Sequence, residues 1–130
     1  WIVDRLHAAR DNHSGSVLVL GLTFKENVPD LRNSKVADLI AGLTRRGHKV
    51  TVHDPHADAL AATHEYGLSM CKTALDRRYD LVVLAVPHRE YLAMGVEALA
   101  ALVADRGVFA DLKNGLNEKP ETFPTRLWHL

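Results

Sequence analysis

Cysteine is almost missing: 130 residues hold one, Cys71, so no disulfide forms within the chain and a reducing cytoplasm is the plain expectation. Neither charge is in excess. Sixteen Lys and Arg against sixteen Asp and Glu, with the eight His neutral, give a formal net charge of zero. That balance weighs against a nucleic-acid binder working by bulk charge. No apolar run is long enough to span a bilayer; Asp80-Leu-Val-Val-Leu-Ala-Val-Pro87 is far too short. The opening Trp-Ile-Val-Asp-Arg has no basic region followed by an apolar one, so it does not read as a signal peptide. It starts without Met and in mid-pattern, and a piece of a longer chain is expected. No internal repeat or low-complexity segment stands out.

What is present is a hydrophobic fraction of 47 %, enough to close one core of ordinary size. Residues 1–12 place Ile2, Val3, Leu6 and Ala9 on one helical face. Residues 16–22 are continuous, branched and bounded by glycine, which predicts a buried strand. A polar loop follows over 23–33, then a helix with Ser34 as N-cap, an apolar face of Val36, Leu39, Ile40 and Leu43, and Gly47 at its end. Residues 49–53 form a second strand, stopped by Asp54-Pro55. A weaker helix is expected over 57–66 and a short one over 71–77. Residues 80–86 are a third, central strand. An amphipathic helix over 88–104 carries Leu92, Val96, Leu99 and Val103. Strands over 107–111 and, at the edge, 125–129 complete the pattern. Alternating strand and helix predict an α/β, Rossmann-like three-layer domain with a mostly parallel sheet. Ligands of such sheets bind beyond the carboxyl ends of the strands.

The first loop after a strand does not carry the dinucleotide fingerprint. Gly21-Leu-Thr-Phe-Lys-Glu-Asn-Val-Pro-Asp-Leu-Arg-Asn-Ser34 has one glycine where G-x-G-x-x-G needs three, and it is too long for the tight turn. A self-sufficient NAD domain is therefore disfavoured. The loop instead offers an aromatic surface (Phe24), a flexible cation (Lys25) and a planar fork able to grip phosphate oxygens in pairs (Arg32), just before a helix start. That set suits a nucleoside diphosphate. The alternative is that Lys25 and Arg32 merely pair with Glu26 and Asp30 at the surface.

From Gly21 to Val36 this stretch closely resembles the start of the C-terminal, UDP-binding domain of the UDP-glucose/GDP-mannose dehydrogenase family. It looks most like bacterial members acting on UDP-N-acetylhexosamines for surface polysaccharide synthesis. Val52-His-Asp-Pro55, Asp80-Leu-Val-Val-Leu-Ala-Val86 with His88, and Val108-Phe-Ala-Asp-Leu-Lys113 follow in the family's order. The resemblance implies that residues 1–13 are the end of an interdomain helix and 14–130 the UDP-binding domain. It implies Phe24, Lys25 and Lys113 at the UDP of a UDP-sugar, and Arg32 at an NAD bound mainly by an absent N-terminal domain. Family members oxidise the sugar C6 alcohol to a carboxylate in two NAD-dependent steps through a cysteine thioester. The catalytic cysteine and its helpers belong to segments not found here, so no catalytic residue is assigned and the fragment is expected to be inactive alone. The resemblance also implies a full-length homodimer or higher, formed mainly through an absent central helix.

The remaining reactive side chains are read more plainly. Cys71 has no basic ensemble beside it in the sequence to activate a thiolate and is taken as structural. His53, Asp54, His56 and Asp58 look superficially like a metal cluster, but a strand-end bend points them in different directions, and no metal is expected. Asp54 should cap a turn while the histidines face solvent. His88 starts a helix. Two further readings compete with the dehydrogenase domain: a free-standing nucleotide-sugar-binding regulatory module, and an independent oxidoreductase.

Overall fold

A computed structural model describes residues 1–32 and 34–129; Asn33, the last residue of the expected polar loop, and Leu130 lie outside the described residues. Five strands, β1 (Ser16–Leu20), β2 (Lys49–His53), β3 (Tyr79–Leu84), β4 (Val103–Asp111) and β5 (Arg126–His129), form one sheet in the order β2-β1-β3-β4-β5. Every pairing described is parallel, so the sheet is parallel throughout rather than mostly so. Among the described residues four helices accompany it: α1 (Ile2–Ala9), α2 (Lys35–Arg45), α3 (Ala59–Tyr66) and α4 (Arg89–Ala100).

Strand side chains alternate between faces, and both faces are covered. Val17, Val19, Leu81, Val83, Val108 and Ala110 pack against Leu6 of α1, Leu39, Ile40 and Leu43 of α2 and Ala62 of α3. Leu18, Leu20, Val82, Leu84, Phe109 and Leu127 turn the other way, onto Tyr91, Leu99 and Ala100 of α4 and onto Phe123. This is why β1 and β3 read as unbroken apolar runs. The domain is Rossmann-like and three-layered, as expected.

The chain leaves β1 toward β2 on one side and returns through β3 to build the other side. Strand order therefore reverses between β1 and β3, and a crevice opens at their carboxyl ends. Gly21 ends β1 there at φ +99°, with an added Cβ only 2.6 Å from Cβ of Val86. Only glycine allows the two strand ends to come this close.

Several boundaries differ from expectation. The helix expected over 88–104 ends at Ala100, and within it Gly95 adopts φ 82°, ψ 160° and breaks the helical register. A single apolar stripe cannot run through that break, so Leu92 is 42 % exposed while Tyr91 is buried, and Val103 already belongs to β4. Ser34 occupies the N-cap position of α2, but its hydroxyl donates to the Leu22 carbonyl at 2.6 Å instead of accepting from the helix. That bond ties the far end of the loop to the end of β1. The short helix expected over 71–77 is a single tight turn at Ala74–Asp76.

Helix α1 is built into the first layer. Leu6 is fully buried, and Val3 approaches Gly42 of α2 so closely that an added Cβ would sit 2.6 Å from its methyl. Asp4 pairs with Arg46. His48, buried in the turn after α2, accepts the Gly15 amide at Nδ1 (3.2 Å), so its proton lies on Nε2, which faces Nδ1 of His7 at 2.9 Å. Burial, then the neighbouring His7, holds His48 below its ordinary value of 6.5. The unfolded chain thus takes up a proton that the folded one resists, and stability is lost as pH falls below 6.5. Urea midpoints are expected to be lower at about pH 5 than at about pH 7.5, with a smaller drop in His48→Gln. Equal drops in the two proteins would exclude His48 as a source.

Candidate functional site

Four strand ends meet at one rim, and two of them carry buried aspartates. Asp54 follows β2 and Asp111 closes β4; both are almost wholly buried. Each serves the turn that follows it. Asp111 accepts the amides of Gly115 (2.9 Å) and Leu116 (3.0 Å), curling the segment that carries Lys113. Asp54 does more. Its Oδ1 accepts the amides of His56 (2.7 Å) and Ala57 (3.1 Å), the turn-capping role expected of it. Its Oδ2 reaches across to β1 and accepts the amides of Leu22 (2.6 Å) and Thr23 (3.0 Å).

The same oxygen lies 2.9 Å from Nε2 of His88, and neither side chain has any exposed surface. Nδ1 of His88 accepts the Asn27 amide at 2.9 Å, so the proton sits on Nε2 and points at Asp54. Burial alone would raise the Asp54 carboxyl. The donors from His88, Leu22, Thr23 and His56 outweigh it and bring the group down to about 2 from 3.8. The pair was not legible in the sequence, where His88 merely began a helix. A signal existed: Asp54 directly follows β2 and His88 comes shortly after β3, the two strands that bracket β1 in the sheet.

The expected site residues fall on this frame. Phe24 is 53 % exposed although large and apolar, and it shares the loop with exposed Lys25. Phe24 is anchored by its amide on the Asp30 carbonyl at 2.6 Å, so the loop folds back on itself. Lys113 crosses from the β4 turn to the same loop, with Nζ 3.2 Å from Glu26. Glu26 is lowered by its own backbone amide first and by Lys113 after it. Among the described residues Lys25 makes no ion pair. Arg32 stands apart at the loop's other end, its side chain 84 % exposed. Asp30 holds it in a fork, Nε to Oδ1 and Nη2 to Oδ2, both at 3.1 Å. The surface-pairing alternative therefore holds for Arg32 and Asp30 but not for Lys25 and Glu26. Beside Lys113 lies an open depression of about 620 Å³, lined mainly by Ile2, Val3, Val36, Leu39 and Leu112.

Two sequence readings need correction. His53, which ends β2, and His56 beyond it are half-buried and do not face solvent. His53 places Nδ1 2.8 Å from the Tyr91 hydroxyl, which itself donates to the His53 carbonyl, and burial lowers the imidazole. His56 packs on the His88 ring and pairs with Glu90 at 2.8 Å. Asp58 caps α3 through the Leu60 amide. These side chains are engaged with protein partners on several different segments. Nor is Cys71 without a cation: Thr73 Oγ1 and Arg77 Nη2 each lie 3.6 Å from Sγ, and both lower the thiol, Thr73 the more. Sequence proximity missed Arg77 because the tight turn at Ala74–Asp76 folds it back.

Residues 18–118 match the UDP-glucose/GDP-mannose dehydrogenase family, UDP binding domain. The chain belongs to that family. This UDP-binding domain is 45 % identical over 102 residues to UDP-N-acetyl-D-glucosamine 6-dehydrogenase of Pseudomonas aeruginosa, covering 78 % of the chain and 24 % of the relative. It is 39 % identical over 129 residues to protein CapL of Staphylococcus aureus, covering 99 % and 30 %. It thus spans 24 % and 30 % of their respective lengths. Among solved structures, an NDP-N-acetyl-D-galactosaminuronic acid dehydrogenase from Methanosarcina mazei superposes with a TM-score of 0.79 at 20 % identity, over 99 % of this chain and 28 % of that one. The UDP-N-acetyl-mannosamine dehydrogenase Cap5O from S. aureus gives 0.74 at 22 %, over 98 % and 29 %. At such identities these two establish the shared fold.

Removing the Asp54 carboxylate leaves four backbone amides and the His88 N–H without an acceptor. Asp54→Ala is expected to cost about 3–5 kcal/mol of unfolding free energy, read by denaturant titration. In the parent protein the contribution of Asp54 is complete above 3.8 and declines as pH falls toward about 2. A variant as stable as the parent would show that Asp54 is not the tie between these turns.

Proposed function

We propose that this domain is the substrate-nucleotide module of an NAD-dependent UDP-sugar 6-dehydrogenase, acting on a UDP-N-acetylhexosamine for surface polysaccharide synthesis in the cytoplasm. The observation that carries the reading is the convergence at the switch point. Phe24 and Lys25 project from a loop anchored by Asp54, and Lys113 reaches the same loop from the β4 turn. An exposed ring beside two ammonium groups suits a nucleoside diphosphate. A phosphate oxygen would replace Glu26 as the partner of Lys113.

Chemistry is assigned to the rest of the longer enzyme. Oxidation of the C6 alcohol to a carboxylate removes two hydrides and takes up one water, and NAD, when bound mainly by an N-terminal domain, would accept one hydride in each of two steps. Arg32 fits a contact with that cofactor: it is highly exposed, and its Asp30 fork engages Nε and Nη2, leaving Nη1 for a phosphate from outside the domain. Residues 1–13 are read as the end of the interdomain helix, 14–130 as the UDP-binding domain, and the full enzyme as a homodimer or higher. The fragment alone is inactive, the catalytic cysteine being elsewhere. The dehydrogenase relatives favour this reading over a free-standing regulatory module.

Calorimetry on the chain should detect weak UDP binding, weak because half of the ligand's surroundings are missing. Lys25→Ala is expected to reduce it by about 1.5–3 kcal/mol, the range for a hydrogen bond to a charged group. Unchanged binding removes Lys25 from the site. In the full-length enzyme the two cations of the loop should separate. Arg32→Lys keeps the charge but loses the fork, and should raise KM for NAD more than KM for the UDP-sugar. Lys25→Ala should do the reverse; the same ratio in both variants would defeat the assignment.

A further inference from the structure

The loop that carries Phe24 and Lys25 is clamped from beneath by a reciprocal contact between two remote segments. Asn27 gives its amide to Nδ1 of His88 at 2.9 Å. Its side-chain oxygen accepts the amide of Arg89, the first residue of α4, at 2.8 Å. His88, at the N-cap position of that helix, makes no capping bond with its own side chain, so Asn27 supplies the cap from across the crevice. Asn27 is exposed and sits at φ 63°, a left-handed conformation that asparagine tolerates better than most non-glycine residues. On the other side of the imidazole, Nε2 is held by Asp54 and lies 3.1 Å from Thr23 Oγ1, whose hydroxyl donates to the Lys25 carbonyl at 3.0 Å. One buried ring thus touches both ends of the segment 23–27.

We propose that His88 is a positioning residue for nucleotide binding: through Asn27 it holds the 23–27 backbone in the shape that presents Phe24 and Lys25 to the ligand. The proposal rests on the UDP-binding reading above and adds the residue that prepares the site before ligand arrives. His88 touches no ligand in this role. The two ring nitrogens have separable duties, Nε2 toward the core and Nδ1 toward the loop. Conservative replacements divide them, since the Asn amide oxygen falls near Nδ1 and the Gln amide nitrogen near Nε2.

The test compares His88→Gln with His88→Asn in the chain, reading amide hydrogen exchange of residues 23–27, thermal stability, and UDP affinity. His88→Gln keeps a donor for Asp54 but offers Asn27 no acceptor. The expected result is faster exchange at the Asn27 amide and UDP binding weaker by about three- to tenfold, the worth of one lost hydrogen bond, with melting close to the parent. His88→Asn keeps the acceptor for Asn27 and abandons Asp54, so it should melt lower yet protect the Asn27 amide and hold UDP within about twofold. A purely structural role would make affinity follow stability in both variants, and that result overturns the proposal. Should the parent bind no UDP, the UDP reading fails by itself, and the exchange data still decide: equal Asn27 protection in parent and His88→Gln excludes positioning. Where neither core substitution folds, Asn27→Gly decides, since glycine keeps the left-handed backbone and removes only the side-chain tie to Arg89. Weaker UDP binding and faster exchange over 23–27 at unchanged melting support the clamp, and parent-like values refute it.

Discussion

The geometry of this domain depends on one buried carboxylate. Asp54 sits where β2 ends and binds, with its two oxygens, the turn after β2, the turn after β1 and the imidazole that follows β3. A parallel sheet leaves its strand ends unconnected by hydrogen bonds once the ladder stops. Some polar group must then satisfy the first amides of each departing loop, and a buried ionised carboxylate is the strongest small acceptor available. The desolvation cost is offset because five donors converge on it, which also keeps the group ionised far below neutral pH.

From that anchor the binding rim follows by topology. The sheet order β2-β1-β3-β4-β5 puts a crevice between β1 and β3, and Gly21 lets their ends approach. The loop leaving β1 must cross this crevice to reach α2. It is tied at its start by Asp54, in its middle by His88 through Asn27, and at its end by the Ser34 hydroxyl. Between those ties Phe24, Lys25 and Arg32 are exposed. Lys113 joins them because Asp111 repeats, on a smaller scale, what Asp54 does for its own turn. A loop without the glycine fingerprint can in this way present a stable face, since long polar loops need such fixed points to keep one shape.

Elements whose residues all face one environment were legible in advance. The runs Val17–Leu20 and Leu81–Leu84 are apolar at every position because helices cover both faces, and such a run admits few other readings. The stripe Leu39, Ile40 and Leu43 of α2 is likewise local and uninterrupted. The helix over 88–104 misled because apolar periodicity continues in the letters across Gly95 while the backbone does not. Leu92 then faces outward, and Tyr91, whose hydroxyl needs the His53 carbonyl, turns inward. His53 and His56 were misplaced for a related reason: their partners Tyr91, Glu90 and His88 lie on another segment, and a lone polar residue reads as exposed.

By itself the sequence determined the alternation of strands and helices, the parallel sheet, the missing dinucleotide fingerprint, and the family resemblance carried by the 21–36 stretch. Each of these rests on neighbouring residues, where propensity and period act. Tertiary structure alone decided that Asp54 and His88 are one unit, that Asn27 caps a helix it does not belong to, that Arg77 stands beside Cys71, and that Lys113 meets the loop of Lys25. Apart from the Cys71–Arg77 pair, those contacts join segments tens of residues apart. They exist because folding removes water from polar groups that must then find one another, a requirement that no local pattern of residues records.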